Sequence, residues 1–275
     1  MPKVAPLDNV IRRLARDRAD KVRQAFADNP SNRYSVMKQM EDDLIGELTP
    51  ILTKTWKPSM RRGERGLKDI LSSGRFKNQF ETMTSAGAFD RMRRGLVSDD
   101  YFYGGNISDK HREKYGYLKR PKKAGDKDDV DFYGAYNIEF KPQVRKRMTV
   151  TNGDSYNNYN RRNTYMTLGT PIVVDDPETY INWVAAPESF DDEELATEDL
   201  FKQVLDDLKF YHRPTFRDGN ENYIEAQYHG PLTSKDINSV RMSGNDIPGW
   251  LVKGSDKYGF PIYDQYSGKC IYNCR

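Results

Sequence analysis

Tyr223-Ile224-Glu225-Ala226-Gln227-Tyr228-His229-Gly230 sets an acid, an amide and an imidazole on alternate positions of a segment that reads as a β-strand. Side chains in a strand repeat every two residues, so Glu225, Gln227 and His229 share one face. A solvent-facing edge strand gives the same alternation, and these residues alone leave that reading open.

Working outward, a second polar strand runs through Arg147-Met148-Thr149-Val150-Thr151-Asn152 into a turn ending in Asp154-Ser155. Arg147, Thr149 and Thr151 share a face, and hydroxyls at that spacing suit the binding of a ribose or the orientation of a carboxylate. Exposed strands also favour Thr, so ordinary sheet surface is the competing reading. Tyr133–Phe140 reads as a further strand, joined to this one at Lys141-Pro142. Upstream, Ile51–Trp56 is rich in β-branched and aromatic residues and reads as a strand closed by a Lys57-Pro58 turn, with Arg61, Arg62 and Arg65 directly after it. Leu67–Ser73 predicts a short helix, Gly74–Thr84 a loop or strand carrying Arg75, and Phe89–Leu96 a helix.

The chain opens with Leu7, Val10, Ile11 and Leu14, then Val22, Ala25 and Phe26, at helical spacing among charged residues. Asn29-Pro30 ends that helix, and a second follows to Leu48. Residues 1–49 are therefore a helical N-terminal region and residues 50–275 the larger part, with one continuous domain also compatible. Pro121–Asp129 reads as a charged surface loop, Tyr156–Tyr165 as an irregular polar and aromatic loop, and Leu195–Phe210 as an amphipathic helix. Trp250, Phe260, Tyr263, Tyr266 and Tyr272 supply apolar area for the C-terminal part to dock on the sheet. Helices first and strands later, without regular β-α alternation, predict an α+β fold.

Composition narrows the function. The 275 residues include 44 Lys and Arg against 41 Asp and Glu, a net charge of +3, which is not the field of a dedicated nucleic-acid binder. The aromatic fraction of 12% separates the chain from disordered sequences. No signal peptide or membrane-spanning run is read, and no GxGxxG or Walker-type loop occurs. Cys270 and Cys274 with His111, His212 and His229 barely supply four ligands, so no metal site is expected. The two cysteines read equally as a small terminal disulfide or as free thiols.

Four strings carry a resemblance: Arg75-Phe76-Lys77-Asn78-Gln79-Phe80-Glu81-Thr82, Tyr103-Gly104-Gly105, Met148-Thr149-Val150-Thr151-Asn152-Gly153-Asp154-Ser155 and Tyr223–Gly230. With them the chain resembles the mono-ADP-ribosyltransferases, more specifically the bacterial CteC-type effectors that modify a threonine of host ubiquitin. That family's signature is an Arg on an early strand, a Ser/Thr-rich second strand and a Glu on a later one. The resemblance implies a split, mostly antiparallel β core preceded by helices, with NAD as substrate. It implies ubiquitin as the protein acceptor and delivery into a host cytoplasm without a cleavable signal. A monomer is expected, with neither membrane nor nucleic acid as partner.

On that resemblance Glu225 is the catalytic acid, stabilising oxocarbenium character at the anomeric carbon, with Gln227 beside it. Arg61, Arg62 or Arg75 would grip the pyrophosphate or ribose, since a guanidinium donates a charged pair of hydrogen bonds. Phe102 or Tyr103 would stack on nicotinamide, Gly104 and Gly105 would let backbone approach the dinucleotide, and Thr149, Thr151 and Ser155 would hold Glu225 and the ribose. His229 is assigned a structural role. The family usually carries its acid last in this motif, whereas Glu225-Ala226-Gln227 carries it first, and Thr-Val-Thr replaces the usual Ser-Thr-Ser. Two alternatives stand beside transfer. One is a non-catalytic module binding RNA or protein, with Tyr156–Tyr165, Arg161 and Arg162 as an RNA surface; the other is an NAD glycohydrolase with water as acceptor.

Overall fold

Ile224, Ala226 and Tyr228 turn into the main hydrophobic core while Glu225 and Gln227 take the opposite face, which makes Ile224–Tyr228 the axis of the fold. The computed structural model describes residues 7–28, 34–85, 89–105, 107–121, 130–156, 170–183 and 223–274. Among them the strands are β1 (Lys57–Arg62), β2 (Lys114–Lys119), β3 (Tyr136–Phe140), β4 (Met148–Asn152), β5 (Ile172–Val173), β6 (Ile224–Tyr228), β7 (Ile237–Met242), β8 (Ile262–Asp264) and β9 (Cys270–Tyr272). They form one sheet in the order β5-β4-β6-β2-β1-β3-β7-β8-β9. Every pairing is antiparallel except β7 with β8. β6 is therefore an inner strand, and the edge reading of its alternation does not apply.

The helices are α1 (Leu7–Ala27), α2 (Tyr34–Pro50), α3 (Glu64–Ser73), α4 (Gln79–Thr82), α5 (Arg91–Ser98) and α6 (Gly249–Tyr258). Leu44 and Leu48 of α2, Leu67 and Leu71 of α3 and Leu251 of α6 join Ile224, Ala226, Met60 and Ile138 of the sheet in the main core. α1 contributes Ala19 and Val22 to that core, and Ile11 and Ala15 to a second cluster with Tyr101, Phe102, Tyr103 and Val173 of β5. The N-terminal helices thus pack on the sheet.

Two local expectations change, and one left open is decided. Ile51–Thr55 is a π-helical continuation of α2, and the strand begins only at Lys57. Leu52 and Trp56 are buried on the core side of that turn, and the buried Arg145 side chain donates to Leu52 O (2.9 Å) and Trp56 O (2.6 Å). A short apolar run has no period that separates helix from strand, and here a distant Arg satisfies the helix-end carbonyls. Within Gly74–Thr84, the stretch Gln79–Thr82 is helical, because Asn78 Oδ1 accepts from Phe80 N and Glu81 N while Glu81 accepts from Asn78 N. Cys270 and Cys274 are joined in a disulfide.

The C-terminal part docks as expected: Phe260 is buried, Trp250 and Tyr272 pack on the core, and β8 and β9 extend the sheet. The helix read at Leu195–Phe210, residues 122–129 of the charged loop and residues 157–165 of the aromatic loop lie outside the described residues. No described helix is long and apolar enough to cross a membrane.

β1 and β2 pair only from Lys57 to Ser59 against Lys119 to Tyr117. Beyond that point β1 continues along β3 through Arg62, while β2 continues along β6 through Lys114, so the sheet parts between them. Gly116 sits at the fork, where a Cβ would lie 2.3 Å from Ser59 O and 2.7 Å from the Tyr228 ring. Gly116→Ala forces two backbones apart there and is expected to destabilise the fold by about 2–3 kcal/mol in urea denaturation; an unchanged unfolding midpoint would contradict this.

Candidate functional site

The fork opens into a cleft of about 830 Å³. β1 supplies Arg61 and Arg62, β2 supplies Tyr115 and Tyr117, β6 supplies Glu225, and the turn after β4 supplies Asp154 and Ser155. Arg75 also lines it. Of the residues picked from sequence, Glu225, Arg61, Arg62, Arg75 and Ser155 thus share one cavity. Thr149, Thr151 and Gln227 lie beside it, inside the sheet face behind Glu225.

Glu225 is 6% exposed. Its Oε1 accepts from Gln227 Nε2 (2.8 Å) and from the backbone N of Ser155 (3.2 Å). Burial and the nearby Asp154 push the carboxyl up to about 8, since both disfavour its ionised form. Gln227 also donates to Thr151 Oγ1 (3.1 Å) and accepts from Thr149 Oγ1 (2.9 Å). Register produces this grouping: Thr151 stands opposite Glu225 and Thr149 opposite Gln227 across β4 and β6.

The cations fall into two kinds. Arg61 is buried and donates to Gly134 O (3.2 Å) and Gln265 Oε1 (3.0 Å), and Arg75 is paired with Glu81 at 2.7 Å. Arg62 has a backbone carbonyl as its hydrogen-bond partner, that of Arg61 (2.9 Å), and no acid among the described residues. Burial lowers its guanidinium to about 10, so it stays charged. Lys114 is buried at the same cleft, bonded to Gly230 O (2.9 Å), and burial lowers its pKa. Arg62, with no acid partner among the described residues, and Lys114, which feels Glu81 and Glu113 but forms no ion pair with either, offer positive charge to an anion in the cleft.

Phe102 and Tyr103 do not reach the cleft. They lie in the π-helical turn Asp99–Tyr103, packed against α1 and the His229 ring, with Phe102 fully buried. Gly104 ends that turn with φ +66°, and a Cβ there would come 3.0 Å from Leu14. It answers a turn requirement, not the approach of a dinucleotide. The rings that line the cavity are Tyr115, Tyr117, Phe132, Tyr133, Tyr156 and Tyr223. Sequence reading missed Tyr115 and Tyr117 with Lys114, although Lys114-Tyr115-Gly116-Tyr117-Leu118-Lys119 carries the aromatic and glycine signal of a strand under close approach. His229 is buried with both ring nitrogens engaged, by Tyr103 OH (3.1 Å) and Thr149 Oγ1 (2.8 Å). Burial, reinforced by Lys114, drives its pKa down to about 3.

Residues 58–272 match a protein family, and that match spans β1 to β9 with the cleft. The chain belongs to the DUF3626 family, described as "Protein of unknown function". Among curated relatives of this DUF3626 member is the Gene 2 protein of Mycobacterium phage D29, 24% identical over 241 residues, covering 86% of this chain and 82% of its own. The Gene 2 protein of Mycobacterium phage L5 is 27% identical over 196 residues, covering 70% of this chain and 67% of its own.

The shifted groups predict a pH signature. A raised carboxyl adds stability below its unfolded value that is lost as pH rises through about 8. A depressed imidazole loses stability as pH falls from 6.5 toward about 3, so the two oppose each other below 6.5. Between pH 6.5 and 8 Glu225 acts alone, and stability should fall by about 2 kcal/mol. Glu225→Gln should flatten that limb in denaturant titrations; the same slope in both proteins would refute the assignment.

Proposed function

We propose that this protein cleaves NAD and transfers its ADP-ribose to a protein acceptor. The observation that carries the reading is one cleft with a desolvated carboxyl on β6, an Arg at the end of β1 with no counter-acid among the described residues and a Thr-rich β4 paired beside the acid. NAD has complementary parts: an anionic pyrophosphate for Arg62 and Lys114, and a cationic nicotinamide ribose for Glu225. The tyrosines of the cleft offer faces for its rings, in place of Phe102 and Tyr103.

In the reaction the bond from ribose C1′ to the nicotinamide nitrogen breaks, and nicotinamide leaves neutral with the electron pair. The acceptor oxygen bonds to C1′ and gives up its proton. Ionised Glu225 stabilises the positive charge that develops at C1′, at short range and out of water. In the empty cleft the carboxyl holds its proton at neutral pH; the pyridinium charge of bound NAD favours its release.

The relatives come from mycobacteriophages, and no feature of the cleft selects ubiquitin, so the proposal concerns the reaction class. Ubiquitin and delivery into a host cytoplasm remain what the family resemblance adds. Water as acceptor, giving an NAD glycohydrolase, uses the same cleavage residues and is the second reading.

Labelled NAD incubated with the protein, with and without ubiquitin or a cell lysate, separates transfer from hydrolysis. Glu225→Ala should cut either activity at least about 100-fold without unfolding the chain. Arg62→Ala should weaken NAD binding about 10- to 100-fold. The kcat/KM for NAD should rise with pH through about 8, because it reports the free enzyme. Full activity in the Glu225→Ala variant would end this assignment.

A further inference from the structure

We propose that Tyr103 and His229 are positioning residues for Glu225: a one-way chain of hydrogen bonds runs from the Tyr103 hydroxyl through His229, Thr149 and Gln227 to Glu225 Oε1, behind the cleft that Glu225 lines. Proton counting gives the direction. Thr151 spends its single hydroxyl proton on Gly153 O (3.0 Å), so it can only accept from Gln227. The amide nitrogen of Gln227 therefore faces Thr151 and Glu225, and its oxygen faces Thr149.

An amide oxygen only accepts, so Thr149 must donate to it, and Thr149 keeps only lone pairs for His229 Nε2 at 2.8 Å. Nε2 then carries the ring proton. Nδ1 of the neutral ring is therefore bare and accepts from Tyr103 at 3.1 Å, a shorter contact than the 3.4 Å from Tyr103 to His111 O; Glu113, the other group acting on the Tyr103 hydroxyl, is itself met by Ser98 (2.7 Å) and Tyr115 (2.6 Å). Every donor in the chain points towards Glu225. None of Tyr103, His229, Thr149 or Gln227 lines the cleft.

At the receiving end both N–H donors reach Oε1, and the Ser155 hydroxyl lies beside the same carboxyl. The carboxyl is thereby anchored by one oxygen in one orientation. The donors also favour its ionised form against the burial that opposes it. Other groups that act on Glu225 are Asp154 and the Ser155 hydroxyl after β4, Tyr223 preceding β6 and Tyr115 on β2, while Tyr117 of β2 and Arg94 of α5 line the same cleft. His229 meets Tyr103, Phe102 and the charge of Lys114. The catalytic weight of this chain rests on the proposed ADP-ribosyl transfer; its geometry is tested without NAD.

In the wild-type protein, ¹⁵N NMR of His229 should show a protonated Nε2 and a bare Nδ1 that accepts a hydrogen bond. A proton on Nδ1 of the neutral ring would overturn the proposal, however any variant folds. The carboxyl ¹³C titration of Glu225, assigned by its loss in Glu225→Gln, should move up by about one pH unit in Thr149→Val and stay near wild type in Thr149→Ser. An unmoved midpoint in folded Thr149→Val also overturns it. The expected tautomer and titration without any transfer would remove the proposed reaction and leave the relay standing. Transfer by wild type, with Thr149→Val unchanged in kcat and in its pH limb, would do the reverse.

Discussion

The site depends on the short pairing of β1 with β2. Only the stretch Lys57–Ser59 meets Lys119–Tyr117 before β1 leaves with β3 and β2 with β6. The two halves stay in one sheet because Gly116 lets β2 lie against the Ser59 carbonyl, where any side chain would collide. A continuous ladder here would fill the space with paired backbone. Parting it leaves the ends of β1 and β2 facing each other across a cavity, and that brings Arg62 and Glu225, far apart in the chain, to one place.

Two buried acids on this sheet show how the same residue type is set for different work. Glu139, 2% exposed, is met by Lys119 (3.0 Å), Arg241 (2.7 Å) and Lys57 (3.5 Å). Although burial opposes its charge, those cations hold it down to about 2. Glu225 has neutral donors and Asp154 for neighbours and moves the other way. Environments that push two carboxyls apart distinguish an acid serving as a structural anion from one poised to change charge near neutrality. The same contrast separates Arg75, paired with Glu81, from Arg62.

Much of the site was legible because a strand has a strict period. The alternation in Tyr223–His229 and in Arg147–Thr151 correctly placed Glu225, Gln227, Thr149 and Thr151 on polar faces. Phe102 and Tyr103 were picked for standing beside Gly104 and Gly105, a pattern that serves a packed turn equally well. Ile51–Trp56 read as a strand because its residue types are β-favouring. Its helical outcome depends on carbonyls being satisfied by Arg145, some ninety positions away. Lys114 and the tyrosines of β2 went unread, since nothing local marks which strands border a fork.

The sequence by itself determined the amphipathic N-terminal helices, the order of helices before strands and which side chains share a face, because each follows from periods of two or 3.6 residues. Tertiary structure decided that β6 is an inner strand, that Arg62 meets no acid among the described residues where Arg61 and Arg75 have side-chain partners, and that Glu225 is desolvated. These are properties of neighbours, and neighbours across a sheet are set by register and by the close approach at Gly116, which no local pattern records.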